Sequence, residues 1–428
     1  MRIVSGPLEG IKVFEVSQIL AAPYGGMMLA DLGADVLKVE SPDGDSTRIL
    51  GAVVPNESKF FHVVNRGKRG LVLNLQSPEA QELVHRIIAD YDVFIINARP
   101  GVSKRLRVDY DTLRQFRPDL IYVDSTGFGT EGPSAERSGS DVVSQGYSGL
   151  MANNHKLDEH GAPQMMSIAI GDMSTGLAMA MGVCAALFRR GVTGQGEFIQ
   201  TSLLNSALSL LGASVGRHPV QDAIARDPMM ESLLEARQAG ADYQELMDIH
   251  EGQRAIATAF LTYYGTYVVQ DGAIVVGALT PRNQAQIREA LGLTGEDPME
   301  DPEFDALDPE WEEKAQAFQE RVRQLYRTKT MDEWIELMDE QGAPATKVNF
   351  PEEMADDEQV QAMGYMIDLD HPLTGPERMV GPILRMTNSP TGTDRPSPML
   401  GEHADEVLGE HGLTADEIAS LREAGALG

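Results

Sequence analysis

The strongest constraint on how this chain can fold is a repeated switch in the spacing of its apolar residues. Residues 11–16 read as a strand, residues 23–31 carry apolar positions at helical spacing, and residues 35–40 return to a strand-like run. The period changes from two to about 3.6 and back. The pattern recurs with a strand at 71–75, a helix over 78–90, a strand at 93–97, a short helix near 110–116 and a strand at 120–124. Strands alternating with helices wind into a parallel sheet covered by helices, so the expected fold class is α/β. Ser77, Pro78 and Glu79 supply an N-cap followed by a proline at the first helical position, which marks the start of the second helix.

Further along, an apolar helix follows Asp172 and is expected to run to about Phe188, stopped by Arg189, Arg190 and Gly191 as C-cap. A strand at 195–200 and a helix at 202–211 come next. From about Gly216 the composition turns polar and helical, and then gives strands near 266–269 and 273–278 around the Asp271-Gly272 turn. This reads as a second, smaller α/β domain running through a helix at 310–326 to about Val348. The tail, 400–427, reads as two short amphipathic helices around Gly412.

Charge narrows the function classes. The 428 residues hold 65 Asp and Glu against 35 Lys and Arg, a net charge of −30, so the overall field repels nucleic acid and anionic membrane. The acids concentrate at 296–313 and 352–358, where solvated loops and helix starts are expected. A single cysteine, Cys184, cannot form an internal disulfide, which fits a reducing cytoplasm, and the first ten residues lack the apolar core of a signal peptide. The apolar stretch 167–188 approaches membrane-spanning length but contains Asp172 and several glycines, so a buried helix is expected.

Several chemistries lack their motifs. The first strand–helix turn, residues 17–23, has no GxGxxG, and no Walker A sequence, HExxH or GxSxG occurs. Cys184 sits within an apolar helix and reads as a core residue. In so acidic a chain, basic clusters stand out. One is Asn65-Arg66-Gly67-Lys68-Arg69, ahead of a strand, and the other comprises Arg99, Lys104, Arg105 and Arg107 after the strand ending at Asn97. At strand ends of one sheet, such residues suit a phosphate-rich ligand such as coenzyme A or a nucleotide, or else merely offset nearby acids. Asp172 lies at the mouth of the apolar helix. It reads either as an N-cap or as a carboxylate kept ionised by the helix N-terminus and available as a nucleophile, with Gly171, Ser174, Thr175 and Gly176 leaving room beside it.

Taken together, Pro7-Leu8-Glu9-Gly10-Ile11-Lys12-Val13, Ala22-Pro23-Tyr24, the run from Ala30 to Glu40, Asn65-Arg66-Gly67-Lys68-Arg69, Ile170-Gly171-Asp172, Gly342-Ala343-Pro344-Ala345 and the run from Leu400 to Leu408 resemble the family III CoA-transferases. This family spans formyl-CoA and carnitine CoA-transferases and the α-methylacyl-CoA racemases. The likeness covers most of the chain, and residues 216–260 depart from it.

The resemblance implies a Rossmann-like large domain over 1–215, completed by about 350–428, a small α/β domain over 216–349, and a homodimer of interlocked subunits. It implies that Asp172 is the catalytic aspartate, acylated first as a mixed anhydride and then as an aspartyl-CoA thioester. Lys68 and Arg105 match positions that bind CoA phosphates, with Asn65, Arg66 and Arg69 beside the first. Asn97 and Ala98 match the loop along pantetheine and adenine, and Ile19, Leu20 and Ala21 the loop beside the thioester. Arg137 and Ser140 fall on the substrate side. Leu20 stands where formyl-CoA transferases have glutamine, and their glycine-rich flap has no counterpart around 252–265, which argues against oxalate.

The expected activity is transfer of CoA from an acyl-CoA, such as succinyl-CoA or another dicarboxylic acyl-CoA, to a free carboxylic acid. The CoA thioester is a substrate, and neither a metal nor a permanently bound cofactor is expected. The alternatives are an α-methylacyl-CoA racemase, which would need a histidine where Ser140 stands, and a non-catalytic CoA-binding protein.

Overall fold

Residues alternating along Lys12–Val16 point to opposite sides, with Val13 and Phe14 both fully buried, so this strand can only lie inside a sheet covered on both faces. That strand, β1, is joined by β2 (Asp35–Glu40), β3 (Lys68–Val72), β4 (Val93–Ile96), β5 (Ile121–Thr126) and β6 (Glu197–Ser202) in the order β3-β2-β1-β4-β5-β6. Every neighbouring pair is parallel. This is the strand order of the doubly wound dinucleotide-binding fold. The computed structural model describes residues 6–252, 258–305 and 308–428. The chain divides into two compact units, Met1–Arg217 with Glu358–Gly428, and His218–Asp357.

One face of the sheet, through Val13, Val36, Val93, Ile95 and Ile121, packs with apolar residues of α1 (Ala21–Asp31) and of a long helix, Ile170–Thr193. The other face, through Phe14, Leu37, Phe94 and Tyr122, packs with residues of the helix Pro78–Ile87 and of the C-terminal helices Ala404–Glu410 and Ala415–Glu423. The chain end adds to the same layer: Leu73 bridges Leu427, and Asn74 N–H donates to the Ala426 carbonyl at 2.9 Å. In the second unit, strands Tyr264–Val268, Ala273–Gly277 and Ala345–Lys347 form an antiparallel sheet. Its core includes Tyr263, Tyr326 and Trp334, and the Trp334 indole donates to the Tyr326 carbonyl at 2.7 Å.

Two element boundaries differ from expectation for identifiable reasons. The long helix does not stop at Gly191 but continues to Thr193, where Gly194 adopts a left-handed φ of +71° and donates to the Arg190 carbonyl. Arg189 and Arg190 pair with Glu197 and Asp92 instead of marking the end. By length and composition alone this helix could cross a membrane, yet Gly176, Met179, Ala180 and Val183 bury one side of it.

Strand β3 begins at Lys68 rather than 71, because its first two side chains are charged yet buried. Lys68 is fully buried, and its ammonium donates to Glu15 Oε1 at 2.9 Å, to the Pro23 carbonyl at 2.8 Å and to Asn65 Oδ1 at 2.9 Å. Burial lowers its pKa to about 8, against the attraction of Glu15. Gly26 of α1 admits this arrangement, since a Cβ there would lie 1.7 Å from Glu15 Oε2. Replacing Lys68 with Ala would leave Glu15 with only Lys38, 3.8 Å away, as a cation. Lys68→Ala should therefore destabilise the large unit by about 3–5 kcal/mol in urea unfolding. An unchanged midpoint and slope would show that the buried lysine is not structural.

Candidate active site

In an open parallel sheet, ligands bind beyond the carboxyl ends of the strands where the strand order reverses. Here the reversal falls between β1 and β4. The loop after β1 is tied across it: Asn97 Oδ1 accepts from the Gln18 N–H at 2.9 Å, and Asn97 Nδ2 donates to the Gln18 carbonyl at 2.8 Å. A cavity of about 250 Å³ opens beside this tie, lined among others by Gln18, Asn97, Ala98, Val102, Arg105 and Leu106. Asn97, Ala98 and Arg105 thus come together in one cleft. Arg105 is exposed, as are Lys104 and Arg107 in the same loop, and none of the three has an acidic partner among the described residues.

The other basic cluster does not share that cleft. Strand β3 starts at Lys68, so Asn65, Arg66, Lys68 and Arg69 sit at the amino end of the sheet, and their side chains turn inward. Lys68 and Asn65 bond to each other within the interior, and Asn65 also donates to the Phe61 carbonyl. Arg66 holds Asp31 through two bonds of 3.1 and 2.5 Å. Arg69 holds Asp35 in the same way and also reaches Glu406 and Glu410. In this buried setting each cation is paired with carboxylates that make its burial tolerable.

Asp172 stands in the first turn of α2, the helix Ile170–Thr193, but it is not the cap; Ala169 occupies that position without a side-chain bond. The cap comes from another element. Asp141, first residue of the helix Asp141–Ser148, accepts at Oδ1 from the Gly171 N–H at 2.8 Å and the Asp172 N–H at 3.1 Å. Its Oδ2 accepts from Gln145 Nε2, and Gln145 Oε1 accepts from the Met166 N–H, so the capping carboxylate is itself held in place. The Asp172 carboxylate keeps no hydrogen-bond partner among the described residues.

Burial, with the nearby Asp141 charge second, pushes Asp172 up to about 7. Both causes favour the protonated carboxyl, in opposition to the helix N-terminus, which favours the carboxylate.

The small residues around Asp172 serve close packing rather than open space. A Cβ on Gly171 would lie 2.8 Å from Asp141 Oδ1, and one on Gly176 would lie 2.6 Å from the Ala21 carbonyl. Ser174 Oγ donates to the Ile170 carbonyl and Thr175 Oγ1 to the Gly171 carbonyl. Gly176, one turn beyond Asp172 on the same face, brings α2 onto the start of α1. The residues 19–21 loop thereby meets α2 at one end, while Gln18 lines the cleft at the other. Leu20 is buried at the N-cap of α1, and Ile19 is half exposed with a φ of +68°. Arg137 is exposed and lies over the rings of Phe128 and Tyr147; Ser140, also exposed, precedes Asp141.

Glu57, His62 and His371 bring three potential ligand atoms within 4.8 Å in the large unit. Hydrogen bonds also join these groups: His62 Nε2 lies 2.9 Å from Glu57 Oε2 and His62 Nδ1 lies 2.5 Å from Glu377 Oε1. His371 Nδ1 accepts from the Leu373 and Thr374 N–H groups, which leaves its proton on the Nε2 that faces Glu57. Residues 253–257, within the 252–265 stretch compared above with the glycine-rich flap, lie outside the described residues.

Sequence reading did not find Gln18, Asp141 or Gln145. Only the Asp141/Gln145 spacing of four was visible there, and nothing local ties Asp141 to a helix thirty residues on.

Residues 8–404 match the family model described as CoA-transferase family III. The chain is 33% identical over 94% of its length to the succinate–glutarate CoA-transferase of Agrobacterium fabrum, covering 95% of that protein. It is 28% identical to a formyl-CoA:oxalate CoA-transferase of Rhodopseudomonas palustris, covering 98% of this chain and 97% of the relative. A CAIB/BAIF family protein from Brucella suis superposes with a TM-score of 0.74 at 28% identity, covering 95% of this chain and all of that one. Rv3272 of Mycobacterium tuberculosis superposes at 0.73 with 22% identity, covering 94% and 98%, and shows the shared fold. With a match that spans nearly the whole chain and a doubly wound sheet that opens a cleft at its switch point, the protein belongs to CoA-transferase family III.

Proposed function

We propose that this transferase moves CoA from an acyl-CoA, with succinyl-CoA or another dicarboxylic acyl-CoA as donor, to a free carboxylic acid through covalent intermediates on Asp172. One observation carries the reading: a largely buried carboxylate, free of hydrogen-bond partners among the described residues, rides on a helix turn that a second carboxylate pins from outside. A group held only by its backbone keeps both oxygens available for attack. The relatives named for succinate, succinyl-CoA and glutarate support a dicarboxylic donor.

Ionised Asp172 attacks the thioester carbonyl, forming a mixed anhydride and releasing CoA thiolate. The thiolate then attacks the aspartyl carbonyl, giving an aspartyl-CoA thioester and freeing the donor acid. The acceptor carboxylate attacks that thioester, forming a second anhydride and releasing the thiolate again. Thiolate attack on the acceptor's carbonyl yields the new acyl-CoA and restores Asp172. Burial serves this sequence by keeping water from the anhydrides. Nothing around Ser140 favours the racemase alternative, since its exposed hydroxyl has no partner among the described residues that could make it a base.

Asp172→Asn should abolish transfer while leaving the fold intact, and hydroxylamine added during turnover should leave a hydroxamate on Asp172. Because the nucleophile is the ionised form of a group titrating at about 7, kcat/KM should rise with pH up to that point and level above it. A fully active Asp172→Asn protein, or a hydroxamate elsewhere, would overturn the mechanism.

Arg105, which lines the cleft without an acidic partner among the described residues, supports a seat for the CoA phosphates there, with the neighbouring Lys104 and Arg107 adding to the field and pantetheine along Asn97 and Ala98. Arg105→Ala should weaken CoA binding by about 1.5–3 kcal/mol, with a shallower salt dependence. Calorimetry giving equal affinities for the two proteins at low salt would remove Arg105 from the site.

An interlocked homodimer fits a feature of α2. Leu177, Met181, Phe188 and Val192 recur at helical spacing and are 41%, 70%, 79% and 74% exposed, an apolar stripe of the kind that a second copy covers. Met181→Glu combined with Phe188→Glu should shift the protein from dimer to monomer in analytical ultracentrifugation. A wild-type monomer, or an undisturbed dimer, would rule the stripe out as the interface.

A further inference from the structure

Ile19 has a backbone conformation that β-branched residues almost never adopt, with φ at +68°, and the residues around it hold it there. Its N–H points at Asp45, 3.2 Å from each carboxylate oxygen. Asp45 is buried and bonded on all sides: Oδ2 accepts from Lys38 Nζ at 3.0 Å, and Oδ1 accepts from the Thr47 N–H and hydroxyl at 3.0 and 2.8 Å. The Asp45 N–H in turn donates to Glu40 Oε2 at 2.9 Å. Lys38 Nζ also donates to the Ser17 carbonyl, Ser17 Oγ donates to Glu15, and Asn97 holds both backbone groups of Gln18. Three consecutive residues are thus each held from outside the loop, Ser17 and Ile19 by Lys38 and Asp45 on and after β2, and Gln18 by Asn97 after β4. A strained backbone survives only under such over-determination, and strain of this kind concentrates at functional loops.

We propose that Asp45, braced by Lys38, is a positioning residue that clamps Ile19 in the left-handed conformation and so sets the loop between the cleft and Asp172 for transfer. The inference rests on the proposed role of Asp172 for its kinetic consequence, but the clamp itself is a statement about the loop. Gln18 turns toward the cleft, while Ala21 abuts Gly176, one turn from Asp172. A change at Ile19 therefore swings the cleft wall relative to the nucleophile. Without the carboxylate, Ile19 relaxes to negative φ, and reacting groups misplaced by an ångström or so lose about 10–100-fold in rate.

A double-mutant cycle tests this, because glycine takes positive φ without strain. Asp45→Ala should lower kcat by about 10–100-fold with less than about a threefold change in KM for the acyl-CoA. In the Ile19→Gly background the same replacement should cost less than about threefold, since the loop no longer needs to be forced. Ile19→Gly alone should raise the melting temperature by about 1–4 °C, as relief of strain exceeds the entropy of the added glycine. Hydrogen exchange over residues 17–22 should quicken in Asp45→Ala.

Equal costs of Asp45→Ala in the two backgrounds, or a wild-type kcat for Asp45→Ala, would overturn the clamp. If Asp45→Ala does not fold, the melting temperature of Ile19→Gly decides alone, and an unchanged or lower value overturns the proposal. The melting and exchange measurements need no turnover. Failure of covalent catalysis at Asp172 is therefore read separately, from hydroxylamine trapping in the wild-type protein.

Discussion

A charged cluster sealed under the first strand–helix turn organises the large unit. Glu15, Lys38, Asp45 and Lys68 are all buried, and each cation there reaches a carboxylate within 3.0 Å. Burying four ionisable groups is costly, and replacing such a cluster with apolar residues commonly stabilises a protein. Its retention here has a structural consequence: Lys38 holds the Ser17 carbonyl, Asp45 holds the Ile19 N–H, and Lys68 holds the Pro23 carbonyl at the start of α1. The cluster thereby fixes the path of the backbone across the topological switch point, where an apolar core would leave the loop's polar groups unpaired.

Capping follows the same logic at the other end of the site. A helix terminus leaves its first N–H groups unpaired, and these are usually satisfied by a side chain one to three residues upstream. In α2 that duty passes to Asp141, which frees Asp172 from capping. The arrangement places two carboxyl groups close together, and with burial this raises the affinity of Asp172 for a proton. In its proposed role as nucleophile, a carboxylate that titrates near neutrality would combine adequate ionisation with higher basicity, at the cost of activity below its pKa.

The two glycine contacts set the spacing. Gly176 lets α2 approach the Ala21 carbonyl, and Gly26 lets Glu15 lie against α1. Larger residues at either position would push apart the elements that carry Asp172 and the 17–21 loop. The position of the site is therefore a packing property as much as an electrostatic one.

Much of this architecture was readable from the chain alone. The alternating periods identified β1, β2, β4 and β5 to within a residue or two, because strand and helix spacing are local consequences of burial on alternating or helical faces. Asp172, Asn97, Ala98 and Arg105 were visible as motif residues, and the unbalanced cations after β4 were conspicuous against a charge of −30. What the sequence could not reveal was which charges meet. Lys68 and Arg105 look alike in a row of letters, yet one is enclosed by Glu15 and the other faces an open cleft, because β3 runs inward from its lysine while the loop after β4 runs outward. Likewise Asp141 and Asp172 lie thirty-one residues apart, and only the packing of two helices makes one the cap of the other's helix and a cause of its shifted pKa. Periodicity reports what each segment buries, whereas ion pairs, capping across space and backbone strain depend on distances that exist only once the segments are assembled.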